Sequence, residues 1–565
     1  MNPLDPYLGK TRIAYFTMEI ALRPEIHTYS GGLGVLAGDT ARSCADLALS
    51  VVFVSLVSRA GYLRQEIDRH GRQMDLPDPW EPLEWTQPLD AMVAVSIEGR
   101  TVWIRPWLYS LSCPLGPSVP VLLLDTDLDQ NDPRDRQLTD RLYGGDDVYR
   151  LKQEVVLGIG GVRLLKALGF DITTFHLNEG HAALLTLELL HQCRRSPERL
   201  RSGEPVYDHA EVRERCVFTT HTPVAAGHDQ FPYDLVSRVL GDFIELDEIR
   251  VAGGPEQLNM TQLALNLSGY INGVAKRHAE TTRRAYPGYD IRAVTNGVHV
   301  PTWTHPSFAR VYEAHFPHWG HEPEALVKAD QLPDDLVWDT HQKAKADLIT
   351  RVKADCGVAL QPDVLTIGFA RRMTGYKRPD LLFADVERLL AMAEKYPLQV
   401  VFAGKAHPKD DDGKRLIERV NNHISDLSDR VTMAFLPNYD LSIAATLVAG
   451  SDIWLNTPLP PLEASGTSGM KAALNGVLNL SVRDGWWAEA CIEGVTGWAI
   501  DGTAEANADA DADALYGKLS EQVLPLFYND RDHWIWMMKQ AISKIGSYFN
   551  SQRMVRRYAT EAYLR

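Results

Sequence analysis

The stretch Glu463-Ala464-Ser465-Gly466-Thr467-Ser468-Gly469-Met470-Lys471-Ala472-Ala473-Leu474-Asn475-Gly476 follows an apolar run that ends near Leu455. Its small residues read as a loop that runs into a short helix. Thr467 or Ser468 is the expected N-cap and Gly476 the expected stop. Such a loop offers backbone N–H groups and the positive end of a helix, which suits an anion. Lys471 falls one turn into a helix expected to be largely buried. A buried amine is costly unless it is paired or chemically used. Two readings stand: a snorkelling side chain, or an amine that forms a Schiff base with an aldehyde cofactor. A strand, a small-residue loop and a helix are the repeating unit of a doubly wound sheet, whose ligands bind at the carboxyl ends of its strands.

Working upstream, Val364–Phe369 reads as a strand, and Arg371-Arg372-Met373-Thr374-Gly375-Tyr376-Lys377-Arg378 follows it at once. Its cations are closely spaced, and two unit charges about 4 Å apart repel by roughly 4 kcal/mol at an effective dielectric near 20. Anions between them would relieve that repulsion. Arginine suits bidentate phosphate contact and lysine acts as a point charge. A solvated basic turn is the plainer reading. Further strands are expected at Ile13–Phe16, Val51–Leu56, Val102–Ile104, Val119–Leu124, Cys216–Thr219, Gln399–Phe402, Val431–Phe435, Asp452–Leu455 and Val477–Leu480. Helices are expected over Asp147–Ala167, His181–Cys193, Asp335–Cys356, Pro379–Lys395 and, near the end, Asp532–Leu564. The alternation is α/β, with helices on both faces of two sheets. Turn signals in Thr295-Asn296-Gly297-Val298-His299-Val300-Pro301 place a boundary near residue 300. The Ala/Asp alternation of Ala508–Ala514 reads as a solvated loop or a helix start.

In the first half, Tyr29-Ser30-Gly31-Gly32-Leu33-Gly34 opens an amphipathic helix, and its glycines let backbone approach a phosphate or a sugar. Asn178-Glu179-Gly180-His181, His221-Thr222-Pro223 and Thr295-Asn296-Gly297 each fall at a strand-end turn. Polar groups converging there would meet sugar hydroxyls, although each is also an ordinary turn or cap.

With 565 residues, the chain has room for three or four domains or two large ones. Its 45% hydrophobic and 23% charged composition is ordinary for a globular protein. The net charge of −16 argues against nucleic acid and anionic membrane as partners. The N-terminus carries no signal-peptide pattern, and the longest apolar run, Leu47–Val57, is too short to span a bilayer. The 6 scattered cysteines form no C-x-x-C pair, which fits a cytoplasmic protein without a zinc knuckle. No metal site is expected: His176 and His181 do not form H-E-x-x-H. G-x-S-x-G, P-loop and zinc-deaminase signatures are absent.

Glu463–Asn475 resembles the pyridoxal-phosphate attachment signature of the α-glucan (glycogen, starch and maltodextrin) phosphorylases, E-A-S-G-x-S-x-M-K-x-x-L-N, at every specified position. Gly31–Gly34, His221–Thr222, Thr295–Gly297 and Arg371–Arg378 support the resemblance in the same order, as does Arg150-Leu151-Lys152-Gln153-Glu154. It covers about residues 13 to 500 and looks like a short prokaryotic member. The resemblance implies a GT-B fold, two Rossmann-like lobes with the active site in the cleft between them. The expected division is 1–298, 299–540 carrying the cofactor, and 541–565 crossing back to the first lobe. It implies a glycosyltransferase of carbohydrate metabolism that cleaves α-1,4-glucans reversibly with inorganic phosphate. The product is α-glucose 1-phosphate, with retention, and the phosphate group of pyridoxal 5′-phosphate acts as proton relay. A homodimer is the assembly such enzymes commonly form.

By the same resemblance, Lys471 carries the cofactor, and Arg371, Thr467, Ser468 and Trp303 also hold it. Arg372 and Lys377 match ligands of the substrate phosphate, with Gly32 and Leu33 facing it. His221, Asn296, Tyr376, Glu463, Ser465 and Gly466 match sugar-binding positions, and His221 is counted with Lys471, Arg372 and Lys377 as catalytic. Departures are Met373-Thr374-Gly375, in place of Ile-His-Glu of the long enzymes, and Ile20-Ala21, where those enzymes carry an aromatic residue near the cofactor ring. Arg371 stands where the family usually has lysine, and Glu179 where animal enzymes carry aspartate. The N-terminal phosphorylation apparatus of the animal enzymes has no counterpart, so control by phosphorylation is not expected. Two other readings remain. A nucleotide-sugar glycosyltransferase of the same architecture would lack the Lys471 signature. A non-catalytic glucan-binding relic would have no use for buried cations.

Overall fold

The computed structural model describes residues 2–113, 116–196, 198, 200, 204–223, 228–501 and 508–564. Two sheets organise the chain. The first runs, in spatial order, Ile291–Ala293, Tyr270–Gly273, Cys216–Thr219, Thr174–Asn178, Ile13–Thr17, Val51–Leu56, Val119–Asp125, Arg100–Leu111 and Gln87–Pro88, with Val93–Ile97 paired to Arg100–Leu111. It is parallel up to Val119–Asp125, and the strands beyond are antiparallel. The second sheet is parallel throughout, in the order Thr432–Leu436, Leu398–Ala403, Leu365–Ala370, Ile453–Asn456, Leu478–Val482 and Gly497–Ile500. Numbered along the chain this is 3-2-1-4-5-6, the doubly wound order, with the switch point between Leu365–Ala370 and Ile453–Asn456. Both strands at that point lead directly into the two segments singled out by sequence.

Side-chain alternation explains why these strands are apolar throughout. In Ile13–Thr17, Ala14 and Phe16 enter one core while Ile13 and Tyr15 enter another on the opposite face. Val52 and Val54 part from Val51 and Phe53 in the same way. A strand buried on both faces cannot afford an alternating polar pattern. The second sheet has its own core, which includes Trp534 and Phe549. Met554, Val555, Tyr558 and Ala562, a few residues later, belong to a core of the first sheet. The chain therefore crosses between the sheets near Asn550, where Ser551 N donates to Val298 O and Val298 N donates to Phe549 O. A Cβ on Gly297 would lie 2.1 Å from Asn550 O, so only glycine lets the two backbones approach this closely.

The expected strands form with end shifts of a residue or two, except Val102–Ile104, which is the middle of the longer Arg100–Leu111. Asp147–Ala167 is helical with a π-turn at Val156–Gly160. Pro379–Lys395 is not one helix: a 3-10 turn, Leu381–Phe383, precedes Val386–Lys395, which Asp385 caps by accepting from Arg388 N. The strand Thr174–Asn178 and the hairpin Arg64–Ile67/Gln73–Leu76 were not anticipated. That hairpin reaches the second sheet: Gln65 Nε2 donates to Gly404 O and Gln73 Nε2 to Ala406 O. Among the described residues, no helix is long and apolar enough to cross a membrane.

Asp452 ties the switch-point strand in place. Buried with no exposed surface to speak of, it accepts from Lys345 Nζ and Thr366 N, both at 2.7 Å, and from His341 Nε2 at 2.9 Å. Removing one partner of a buried ion pair strands the other in low dielectric. Asp452→Ala should therefore cost about 3–5 kcal/mol. Urea denaturation checks this, and a loss below about 1 kcal/mol, the level of a surface pair, would refute it.

Candidate active site

Glu463 lies in the loop after Ile453–Asn456, held by its backbone N–H to Asp484 Oδ2 at 2.9 Å. Its Oε2 accepts from Arg371 Nη2 and from Lys377 Nζ, each at 2.6 Å. Burial alone would raise this carboxyl, but Lys377 and Arg371 reverse the effect and leave it at about 2. Two strand-end loops of the second sheet are thereby joined through charge. Among the described residues, Arg371 Nε and Nη1 are buried without a hydrogen-bond partner, and so is Ser465 Oγ. Lys377 Nζ also sits 4.5 Å from the Tyr376 ring centre. Arg378 turns away, donating to the carbonyls of Thr457 and Pro458.

Arg372 differs. It is solvent-exposed yet surrounded by protein, as a residue lining a cleft would be. Across from it lies the glycine loop of the first sheet: a Cβ on Gly31 would stand 3.2 Å from Arg372 Nη2. Glu19 Oε2 accepts from Ser30 N at 2.6 Å and Gly31 N at 3.1 Å, and Tyr143 OH donates to Glu19 Oε1. The helix Gly32–Asp46 begins there, so the N–H groups of Gly32 and Leu33 have no intrahelical acceptor.

Lys471 sits in the helix Ser468–Ala473 and is 7% exposed. Thr467 occupies the N-cap position, as expected, but makes no side-chain capping bond, and Ser468 Oγ accepts from Trp454 Nε1 at 3.0 Å. Gly476 has φ +71° and ends the turn. Lys471 Nζ lies 3.8 Å from the Trp303 ring centre and has no hydrogen-bond partner among the described residues. Asn475 fixes this geometry: Nδ2 donates to Trp303 O and to Lys471 O. Burial pushes the amine down to about 8, with Asp39 pulling the other way. A substantial neutral fraction near neutrality makes it a nucleophile.

His221 N donates to Glu179 Oε2, and His221 Nε2 bonds Asn178 Oδ1 at 2.6 Å. Because the carbonyl oxygen accepts, Nε2 carries the proton and Nδ1 offers a lone pair. Burial, with His278, His176 and His181 nearby, holds the ring neutral, down to about 3. Glu179, at φ +74°, spends its carboxylate on the His221–Thr222 turn and on Gly180 N. Asn296 is 3% exposed with Oδ1 unpartnered, and Arg553 holds its backbone carbonyl.

The structure thus joins Arg371, Lys377 and Glu463 directly, sets Arg372 against the glycine loop, and stacks Lys471 on Trp303. Direct contacts do not connect His221 or Asn296 to that cluster. Sequence reasoning missed Asp39, whose Oδ2 accepts from Trp303 Nε1 at 2.8 Å and from His299 N at 3.2 Å. An acidic residue inside the apolar stretch of Gly32–Asp46 was the available signal.

A family model described as carbohydrate phosphorylase matches residues 228–495, which include the basic segment, Trp303 and Lys471. The chain is 37% identical to the maltodextrin phosphorylase of Thermococcus litoralis, over 98% of this chain and 70% of that one. Identity to the glycogen phosphorylase of Mycobacterium tuberculosis is 37%, over 98% and 71%. For the glycogen phosphorylase of Aquifex aeolicus it is 37%, over 98% and 86%.

In protein freed of bound aldehydes, acylation of Lys471 followed by peptide mapping should show a rate that rises through about pH 8. An inflection near the ordinary lysine value of about 10.4 would contradict the burial argument.

Proposed function

The chain belongs to the carbohydrate phosphorylase family, and on that premise we propose that it is a cytoplasmic α-1,4-glucan phosphorylase. It would release α-glucose 1-phosphate, with retention, from glycogen or maltodextrin in a GT-B cleft between lobes 1–298 and 299–540. Residues 541–565 would return to the first lobe. The observation that carries the reading is Lys471: a buried amine with no hydrogen-bond partner among the described residues, held on the face of Trp303.

The residues present fit pyridoxal 5′-phosphate. An amine at about 8 suits its aldehyde, and the orphaned Nε and Nη1 of Arg371 suit its phosphate. Lys471 would hold it with Trp303, Arg371, Thr467 and Ser468. When bound, the cofactor supplies a phosphate that exchanges a proton with the substrate phosphate. Everything else falls to the chain. Arg372, open to the cleft, would bind inorganic phosphate with Lys377 and the N–H groups of Gly32 and Leu33. These cations offset the repulsion of two neighbouring phosphates and stay with the charge as it moves to the glucosyl phosphate.

Sugar hydroxyls would meet Asn296 Oδ1 and Ser465 Oγ, both unpartnered, with Glu463, Gly466 and Tyr376 alongside. His221 would accept a hydrogen bond from a sugar hydroxyl at Nδ1. Neutral at working pH, it orients the sugar and is not an acid. The C-terminal segment supports this side of the cleft, since Arg553 Nη2 donates to the carbonyls of Thr295 and Asn296.

The direct experiment is an absorbance spectrum of the purified protein, then borohydride and peptide mapping. A pyridoxyl group on Lys471 is expected, and Lys471→Ala should fold but retain no cofactor and no activity. Activity without the lysine would overturn the reading. Arg372→Ala should raise the phosphate KM about tenfold or more while the glucan KM stays within about twofold. Equal effects on both would remove Arg372 from phosphate binding.

A further inference from the structure

Asp39 is 1% exposed, and its two oxygens have different fates. Oδ2 takes the Trp303 indole and the His299 backbone. Oδ1 has no hydrogen-bond partner among the described residues. The Arg42 Nη1 atom stands 3.8 Å away, but that guanidinium is engaged by the carbonyls of Ala21 and Leu22. A buried carboxylate oxygen left in this way is expensive unless a donor completes it.

Asp39 also lines a cavity of about 220 Å³, together with Trp303 and the apolar side chains of Ala21, Val35, Leu441 and Ala445. The Trp303 that walls this cavity carries Lys471 Nζ on its ring. Asp39 is also the charged group whose field reaches that amine. Arg23, Arg42, Thr302 and Ser442 complete the lining, so the space combines an apolar wall, one carboxylate and, on the Trp303 ring, a nearby reactive amine. A heteroaromatic ring with a single ring nitrogen has the complementary chemistry: apolar faces and one protonated edge.

We propose that Asp39 binds the ring of the cofactor held by Lys471, accepting a hydrogen bond from the ring nitrogen at Oδ1. The inference rests on the cofactor reading above and adds to it a residue of the first sheet. Trp303 carries the amine on its face and takes only Oδ2 of Asp39, an oxygen that His299 N also holds, so Oδ1 stays aimed without the indole. Closing the site requires both sheets, because Asp39 and Ala21 come from the first while Leu441, Ala445 and Lys471 come from the second.

The test compares pyridoxal 5′-phosphate with its 1-carba analogue, in which C–H replaces the ring nitrogen, by dissociation constant on stripped protein. The unsubstituted chain should prefer pyridoxal 5′-phosphate by about tenfold, the scale of one charge-assisted hydrogen bond. Asp39→Asn keeps an acceptor for Trp303 but loses the charge, and should reduce the preference to about twofold, with a shifted absorbance maximum. Trp303→Phe removes the indole donor, leaves Asp39 Oδ1 untouched, and should retain the preference. An unchanged preference in Asp39→Asn overturns the proposal, and so does its loss in Trp303→Phe, which would mean that Asp39 acts only through the indole. A chain that takes up neither compound rejects the cofactor reading itself, whereas uptake on Lys471 with unchanged discrimination rejects the Asp39 assignment alone.

Discussion

Two positive charges, on Arg371 and Lys377, share one buried carboxylate oxygen, Glu463 Oε2. Much of the second sheet's architecture serves that contact. Arg371 and Lys377 come from the loop after Leu365–Ala370, and Glu463 comes from the loop after Ile453–Asn456. The contact therefore spans the switch point, where helices part to opposite faces and leave a crevice. Without Glu463, two cations would stand buried and mutually repelling. With it, each is positioned and neither is fully neutralised, because one carboxylate cannot cancel two cations. The residual positive charge, together with Arg372, makes the crevice locally positive in a chain that is acidic overall.

Lys471 obeys the opposite rule. No carboxylate lies within bonding distance, so burial is free to depress its proton affinity. Its neighbour is the face of Trp303, which attracts the ammonium only weakly compared with an ion pair. The contrast depends on local geometry: Asn475 ties the backbone of Lys471 to that of Trp303, while Asp39 anchors the indole from the other side. Asn296 and Val298 follow the strand Ile291–Ala293 and are braced by the returning C-terminal chain near Asn550. The chain end is thus part of how the site is held.

The strands around both site loops were legible because parallel strands buried on both faces are continuous apolar runs. Val51–Leu56 and Cys216–Thr219 even keep their expected limits. Thr174–Asn178 was missed for a physical reason. Its five residues include Thr174, His176 and Asn178, and the last two find their partners on neighbouring strands, at the His221 turn and in the C-terminal helix. His176 Nε2 meets Thr219 Oγ1, and Nδ1 meets Tyr563 OH. No local pattern announces partners almost 400 residues away. The hairpin Arg64–Leu76 was invisible likewise, since Gln65 and Gln73 look like surface residues until the second sheet supplies backbone partners at Gly404 and Ala406. In the site, the clustering of Arg371, Arg372 and Lys377 was legible as charge that needs an anion. That Glu463 would neutralise part of it was not, because 92 residues separate Glu463 from Arg371.

On the proposed function, these two electrostatic regimes would let one site combine tasks that conflict in bulk water. A phosphate site must keep cations charged, and an amine nucleophile must be able to lose its proton. A single uniform environment favours one at the expense of the other: dry surroundings discharge lysines, and carboxylates recharge them. Here the tasks are divided by where the carboxylates point. Glu463 faces Arg371 and Lys377 and forms an ion pair with each. Asp39 spends Oδ2 on Trp303, an uncharged donor, and so influences Lys471 through space without forming an ion pair with it. An acidic residue one position along the helix Gly32–Asp46 would point elsewhere, and the division would fail. The arrangement therefore depends less on how many charged groups the cleft contains than on which of them are allowed to touch.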